Sequence, residues 1–184
     1  DKIYQKIKQV NAVKPVIALF GEVAASGGYY ISAPTTSIIA NPDTLTGSIG
    51  VIWALSDVQG LYSKLGLKEI VVKSGPFKDI GSGTRDMTVE EQAILQNLVD
   101  DAYAKFKTIV REGRSLTDEK VVLVADGRIF NGKQALEKGL VDELGNLEKA
   151  IEVAKQKAKI DAANIIQYKS QSIWDSLFNV LARD

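Results

Sequence analysis

The chain has 184 residues, 45% of them apolar and 25% charged, enough for one domain with a real core and ordinary for a soluble globular protein. Basic and acidic residues balance at 23 each, so the basic excess that marks a nucleic-acid-binding surface is missing. Cysteine and histidine are both absent, which excludes a Cys/His zinc site and any Cys–His catalysis built from this chain and says nothing of redox compartment.

Ile3, Ile7 and Val10 recur at helical spacing and predict an amphipathic helix over 2–11. Pro15 opens a short apolar run, Val16 to Phe20, that suits a strand buried on both faces. Gly21 and Glu22 end it. Ser26 follows, and Gly27-Gly28 lead into a short helix at Tyr29–Ala33. Ser37–Ala40 reads as a second strand stopped by Asn41-Pro42, and Ile49–Ala54 as a third apolar run. Val58–Leu65 is helical, with Gly66 placed as its C-terminal cap, and Glu69–Lys73 is a short strand. Ser74 to Met87 is rich in glycine, lacks periodicity and reads as a loop. Thr88-Val89-Glu90-Glu91 is a capping box for a long helix ending near Gly113. Thr117 caps a short helix, Arg128-Ile129-Phe130 is extended, Asn131 caps a helix to Lys138, and Asn146 caps a basic helix through Ala158. Ile165–Tyr168 reads as a strand. Ser172–Arg183 reads as a final amphipathic helix with Ile173, Trp174, Leu177, Phe178 and Leu181 on one face.

Strands alternating with helices argue for an α/β domain with a mostly parallel sheet. One catalytic domain over 1–158 is expected. A C-terminal segment, 159–184, is expected to pack on that domain or on a neighbouring protomer. No apolar run approaches the length of a membrane helix and no secretory h-region opens the chain, so any membrane attachment is expected outside it.

Ala25-Ser26-Gly27-Gly28 carries the chemistry. Strand, tight small-residue turn, then helix is the geometry that exposes a side chain at a strand's end. The plain alternative is that Ser26 is simply a helix N-cap. A nucleophilic serine needs a base. With no imidazole available, a lysine is the expected base if Ser26 is a nucleophile, and the variants of the serine triad include Ser-Lys pairs. Lysine is ordinarily a solvated surface residue with a pKa near about 10.4, and must be desolvated or set beside positive charge to serve. Near Lys78, the residues Pro76, Phe77 and Ile80 offer apolar surroundings and Arg85 a like charge, while Asp79 would oppose them; Lys73 is a rival. Ser48 can serve the Thr46-Gly47-Ser48 turn alone. The acidic residues form no metal constellation. Asp142-Glu143 read as a solvated edge, and the Lys-rich helix 149–159 as a solvated face.

Four blocks carry a resemblance. Lys14 to Tyr30, centred on Gly21-Glu22-Val23-Ala24-Ala25-Ser26-Gly27-Gly28, is similar to the nucleophile region of the signal peptide peptidase A family. Ala40-Asn41-Pro42-Asp43-Thr44-Leu45-Thr46-Gly47-Ser48-Ile49-Gly50-Val51 resembles that family too. So do Lys73-Ser74-Gly75-Pro76-Phe77-Lys78-Asp79-Ile80-Gly81-Ser82 with Arg85-Asp86-Met87-Thr88, and Ala125-Asp126-Gly127-Arg128-Ile129-Phe130 with Gly139 to Gly145. The blocks stand in the family's order from Lys14 to Gly145.

The resemblance implies a Clp-protease/crotonase-like α/β fold and a Ser-Lys dyad. Ser26 matches the nucleophile, Lys78 the general base, Ser48 a serine that holds the lysine, and Gly27 one backbone donor of the oxyanion hole. It implies no cofactor and no metal. It implies homo-oligomeric rings, with the lysine supplied within or between chains, and a membrane-associated, extracytoplasmic prokaryotic enzyme that degrades cleaved signal peptides or other apolar extended peptides. Upstream strands and a Pro-Gly-Gly segment of the family do not precede Asp1, so a fragment or processed form is expected. Other readings are a related peptidase processing a membrane or capsid protein, a non-catalytic scaffold, and an acyl-CoA hydratase or isomerase, whose acids find no match here. An α/β-hydrolase is excluded for want of a histidine.

Overall fold

Six short strands in the computed structural model, which describes residues 1–168, make two three-stranded sheets. In the first, β1 (Ile17–Phe20) pairs in parallel with β3 (Ser37–Ala40), and β3 with β6 (Glu143–Leu144). In the second, β2 (Val23–Ala25) pairs in parallel with β4 (Leu45–Gly47), and β4 antiparallel with β5 (Ile129–Phe130). The chain passes from β1 to β2 and from β3 to β4 side by side, so one pair of neighbours leaves the first sheet and enters the second together. The Thr44 hydroxyl donates to the Gly21 carbonyl at 2.6 Å and the Leu45 N–H to Glu22 at 2.8 Å, which holds the two crossings in step.

Helices cover the sheets. They are α1 (Lys2–Asn11), α2 (Gly27–Ser32), α3 (Gln59–Leu65), α4 (Val89–Gly113), α5 (Asp118–Val124), α6 (Gly132–Glu137) and α7 (Leu147–Ala158). Their starts are set by the capping chemistry the sequence carries. Thr88 and Glu91 form a reciprocal capping box on α4, Asn131 and Gln134 another on α6, and Thr117 and Asn146 accept from the third residues of α5 and α7. Gly66 ends α3 in the left-handed conformation at φ 68°.

The core forms around α2. Tyr29 is fully buried, packs edge-on to Phe20 with ring centroids 6.1 Å apart, and donates its hydroxyl to the Leu140 carbonyl at 2.8 Å. Burial pushes that phenol's pKa far up, so it stays a neutral donor. Tyr30 lies against Tyr4 of α1 and Phe106 of α4, at 5.4 and 5.1 Å. The helix that begins at Ser26 is therefore held from three sides.

The α/β class and the mostly parallel pairing are as expected, but several elements differ. Strands β2, β4 and β6 are too short to leave a hydrophobic signature. Asp142 sits at an exposed edge, as expected, and is also engaged there: its Oδ2 accepts from the Ile38 N–H at 2.7 Å and its other oxygen from Arg114. Ile49–Ala54, Glu69–Lys73 and Ile165–Tyr168 form no strand. Ile49 is buried, yet Ile52 is 89% and Val72 96% exposed. An apolar run becomes a strand only where another strand offers hydrogen-bond partners, and these segments meet none among the described residues. The expected helix Ser172–Arg183 lies outside the described residues.

Tyr29→Phe leaves the buried Leu140 carbonyl without its donor. The expected loss of stability is about 1–3 kcal/mol in urea unfolding, with no change in the helical circular dichroism of the folded protein.

Candidate active site

Ser26 stands between β2 and α2 with φ 50° and ψ −113°, a backbone state that a residue with a Cβ enters only under strain of about 1–3 kcal/mol. Two hydrogen bonds fix it there. The Ser26 N–H donates to the Gly47 carbonyl at 2.9 Å, and the Ser26 carbonyl accepts the Tyr30 N–H at 2.8 Å. The hydroxyl makes no capping bond to α2, so the N-cap role does not account for the serine. A Cβ built on Gly27 meets nothing within 4 Å, so the seat beside Ser26 is open.

Ser48 lies across the same turn, also at positive φ (49°), with its N–H donating to the Arg128 carbonyl at 2.8 Å. Gly47 between the two serines sits at φ 79°, and a Cβ there would lie 2.7 Å from the Phe130 ring. Only glycine lets β4 approach β5 so closely.

Ser26, Gly27 and Ser48 open onto one cleft of about 780 Å³. Tyr30, Val51, Phe106 and Ala125 give it apolar walls, while Lys105 and Asp126 add charge. Lys105 is turned to Asp1, 3.1 Å away. Such a channel, mostly apolar with few polar groups beside a strained serine, suits an extended apolar chain passing the hydroxyl.

Lys78 is not among the residues lining this cleft. It lies exposed on the loop between α3 and α4. The structure thus brings three of the four expected site residues together and leaves the fourth apart. Lys73, the rival base, is engaged: its amine donates to Asp79 at 2.6 Å and to the Pro76 carbonyl at 3.0 Å. Asp79 also receives Arg85, which holds its carboxyl far below the usual carboxylate range. Arg85 and the Thr88 N–H hold Glu91 down at about 2. Glu91 was legible as the capping-box partner of Thr88, but its second partner, Arg85, left no local signal because it sits six residues away across a loop.

The profile of peptidase family S49 matches residues 8–161. A Synechocystis relative, provisionally named a protease, is 49% identical over 161 residues, spanning 88% of this chain and 58% of its own length. A provisionally named signal peptide peptidase, SppA, of Enterococcus faecium is 41% identical over 91% of this chain and 48% of its own. The chloroplastic serine protease SPPA of Arabidopsis thaliana is 38% identical over 87% of this chain and 24% of its own. The chain spans about half the length of the curated relatives it matches first. Among solved structures, enoyl-CoA hydratase from Thermoplasma volcanium aligns with a TM-score of 0.44 at 21% identity, covering 87% of this chain and 46% of that one.

Two outcomes follow from this geometry. Ser26→Gly should exceed Ser26→Ala in stability by about 1 kcal/mol, because glycine takes φ 50° without strain; paired urea melts read the difference. Glu91 has a folded pKa depressed to about 2, so its contribution is complete above its unfolded value of 4.5 and is lost as pH falls from there toward 2. Protection factors for 74–88, corrected for the intrinsic pH dependence of amide exchange, should therefore fall across that window and stay constant above about pH 5.

Proposed function

The chain belongs to peptidase family S49, and on that premise we propose that it is a serine endopeptidase with a Ser26–Lys78 dyad, acting on cleaved signal peptides or similar apolar extended segments at a membrane. The backbone of Ser26 carries the reading. A serine held at φ 50° on a strand-to-helix turn, its hydroxyl unused by the helix and facing an apolar cleft, is the arrangement of a nucleophile presented to a passing chain.

In this mechanism the Ser26 Oγ attacks the scissile carbonyl while the Lys78 amine takes its proton. The carbonyl oxygen becomes an oxyanion. The first N–H groups of a helix have no partner within it, so the Gly27 N–H at the start of α2 is free to stabilise that charge. Lys78 then delivers its proton to the leaving amine. Water next attacks the acyl-Ser26 ester, with Lys78 again as base, and releases the second product. Loss of one such oxyanion donor raises the barrier by about 2.7–4 kcal/mol in other serine enzymes. Ser48, across the turn, accepts from the Lys78 ammonium and fixes its rotamer.

The placement of Lys78 away from the cleft favours a dyad made between copies. Ile52, Ile70 and Val72 on the same arm of the chain leave apolar side chains in solvent, as surfaces that assemble do. A repeated head-to-tail contact of this kind closes into a ring when its rotation divides a full turn, the assembly proposed for this chain. No helix among the described residues is long and apolar enough to cross a membrane.

The test is cleavage of a fluorogenic apolar peptide with an alanine at the cut. Ser26→Ala and Lys78→Ala should each reduce kcat/KM by at least about 10³-fold. Co-assembled from an equal mixture, the two inactive variants should regain up to about a quarter of wild-type activity, since one pairing in four carries both groups. Full activity in either single variant would contradict the dyad. No recovery in the mixture would place both groups in one chain.

A further inference from the structure

A cluster of charged side chains is built on Asp79, the residue that follows Lys78 in the chain. The Asp79 carboxylate takes Lys73 Nζ at 2.6 Å and Arg85 Nη2 at 2.8 Å on one oxygen, and Arg85 Nε at 3.0 Å on the other. The same guanidinium donates to both oxygens of Glu91 in the first turn of α4, and to the Asp86 carbonyl at 3.0 Å. All five of its N–H donors are therefore used. Glu91 is 2% exposed and also accepts the Thr88 N–H at 2.9 Å. This is not a loose surface pair. Two carboxylates, one nearly buried, share one planar fork that a lysine could not supply.

Two consequences reach Lys78. First, its chain neighbour Asp79 is fastened to α4, and α4 also supplies Ala102, Tyr103 and Phe106 to the cleft. The lysine's loop is thus tied to a rigid element that also walls this chain's own cleft, so its seating is fixed relative to the body from which it projects. Second, a free carboxylate beside an amine favours the ammonium form, and the two cations on Asp79 offset that field. The charged groups on and against this loop are Glu69, Lys73, Asp79, Arg85, Asp86 and Glu91. None makes an ion pair with Lys78 among the described residues.

We propose that Arg85, bridging Asp79 to Glu91, is the positioning residue of the general base: it fixes the loop from which Lys78 reaches Ser26 and keeps the Asp79 charge off the Lys78 amine. The proposal rests on the reading of Lys78 as base.

The test measures the rate of Ser26 acylation by a small fluorophosphonate against pH, in the full natural protein and its variants, each checked by thermal melting. Arg85→Met should lower the plateau rate by about tenfold or more. It should also move the pH midpoint up by roughly half to one unit, because Asp79 loses one of its two cations. Asp79→Asn should lower the plateau too but move the midpoint down by a similar amount, because one negative charge is removed while Lys73 and the Glu91-paired Arg85 keep theirs. Arg85→Lys keeps the charge without the fork, so its midpoint should stay near wild type while its plateau falls. If Arg85→Met or Asp79→Asn does not fold, the remaining one and Arg85→Lys carry the comparison. Midpoints that stay put, or move the same way in Arg85→Met and Asp79→Asn, would reduce the cluster to a structural tie and overturn the proposal. Lys78→Met is the separate control. If it acylates like wild type at every pH, Lys78 is not the base, and the proposal falls with that reading rather than on its own evidence.

Discussion

One backbone hydrogen bond governs the candidate site. The Ser26 N–H donates to the Gly47 carbonyl, 2.9 Å away, just past the last rung of the β2–β4 ladder. On the other side, α2 is anchored by Tyr29, with its phenol on the Leu140 carbonyl and its ring against Phe20. The single residue joining these two fixed elements has to turn through positive φ. Glycine would occupy that seat without strain, and glycine follows immediately at Gly27, where a side chain would meet nothing. The ordinary preference is inverted: the strained seat has the side chain and the open seat has none. What the inversion retains is the serine hydroxyl, and what it clears is the seat beside it.

The remainder of the site is organised in two parts. The sheets, α2 and the middle of α4 make a packed body with the cleft along one side. From Val51 to Met87 the chain leaves that body as an arm with one short helix and many apolar side chains in solvent. Ser26, Gly27 and Ser48 belong to the body, and Lys78 belongs to the arm. Arg85 is the hinge between the two descriptions, since it ties the arm back to α4 through Glu91. The proposed pairing of Ser26 with Lys78 would depend on how the arm is seated, by α4 on one side and, in the proposed assembly, by a second copy on the other.

What was legible in the sequence was local. The caps at Thr88, Thr117, Asn131 and Asn146 open their helices as read, because each pairs a side chain with a backbone N–H three residues on. The turn at Ser26 was legible from its small residues, and Gly66 from its place after α3. The strands β2, β4 and β6 were not, since two or three residues cannot display a period and their pairing comes from distant chain. Glu69–Lys73 failed in the opposite sense: the composition is that of a strand, but no partner strand lies beside it among the described residues. Asp142 is exposed as read, but its two partners were not legible because neither the Ile38 N–H nor Arg114 is near it in sequence. The four site residues came from block resemblance more than from physics. The structure gathers Ser26, Gly27 and Ser48 on one cleft, and the Arg85 network could not have been read from spacing.

In the proposed mechanism the strained serine is the group that bonds to substrate. Intact-mass analysis and peptide mapping after reaction with a peptidyl fluorophosphonate test it directly. The account expects one covalent adduct per chain, located on Ser26. An adduct on another residue, or none on a folded and fully assembled protein, would contradict it.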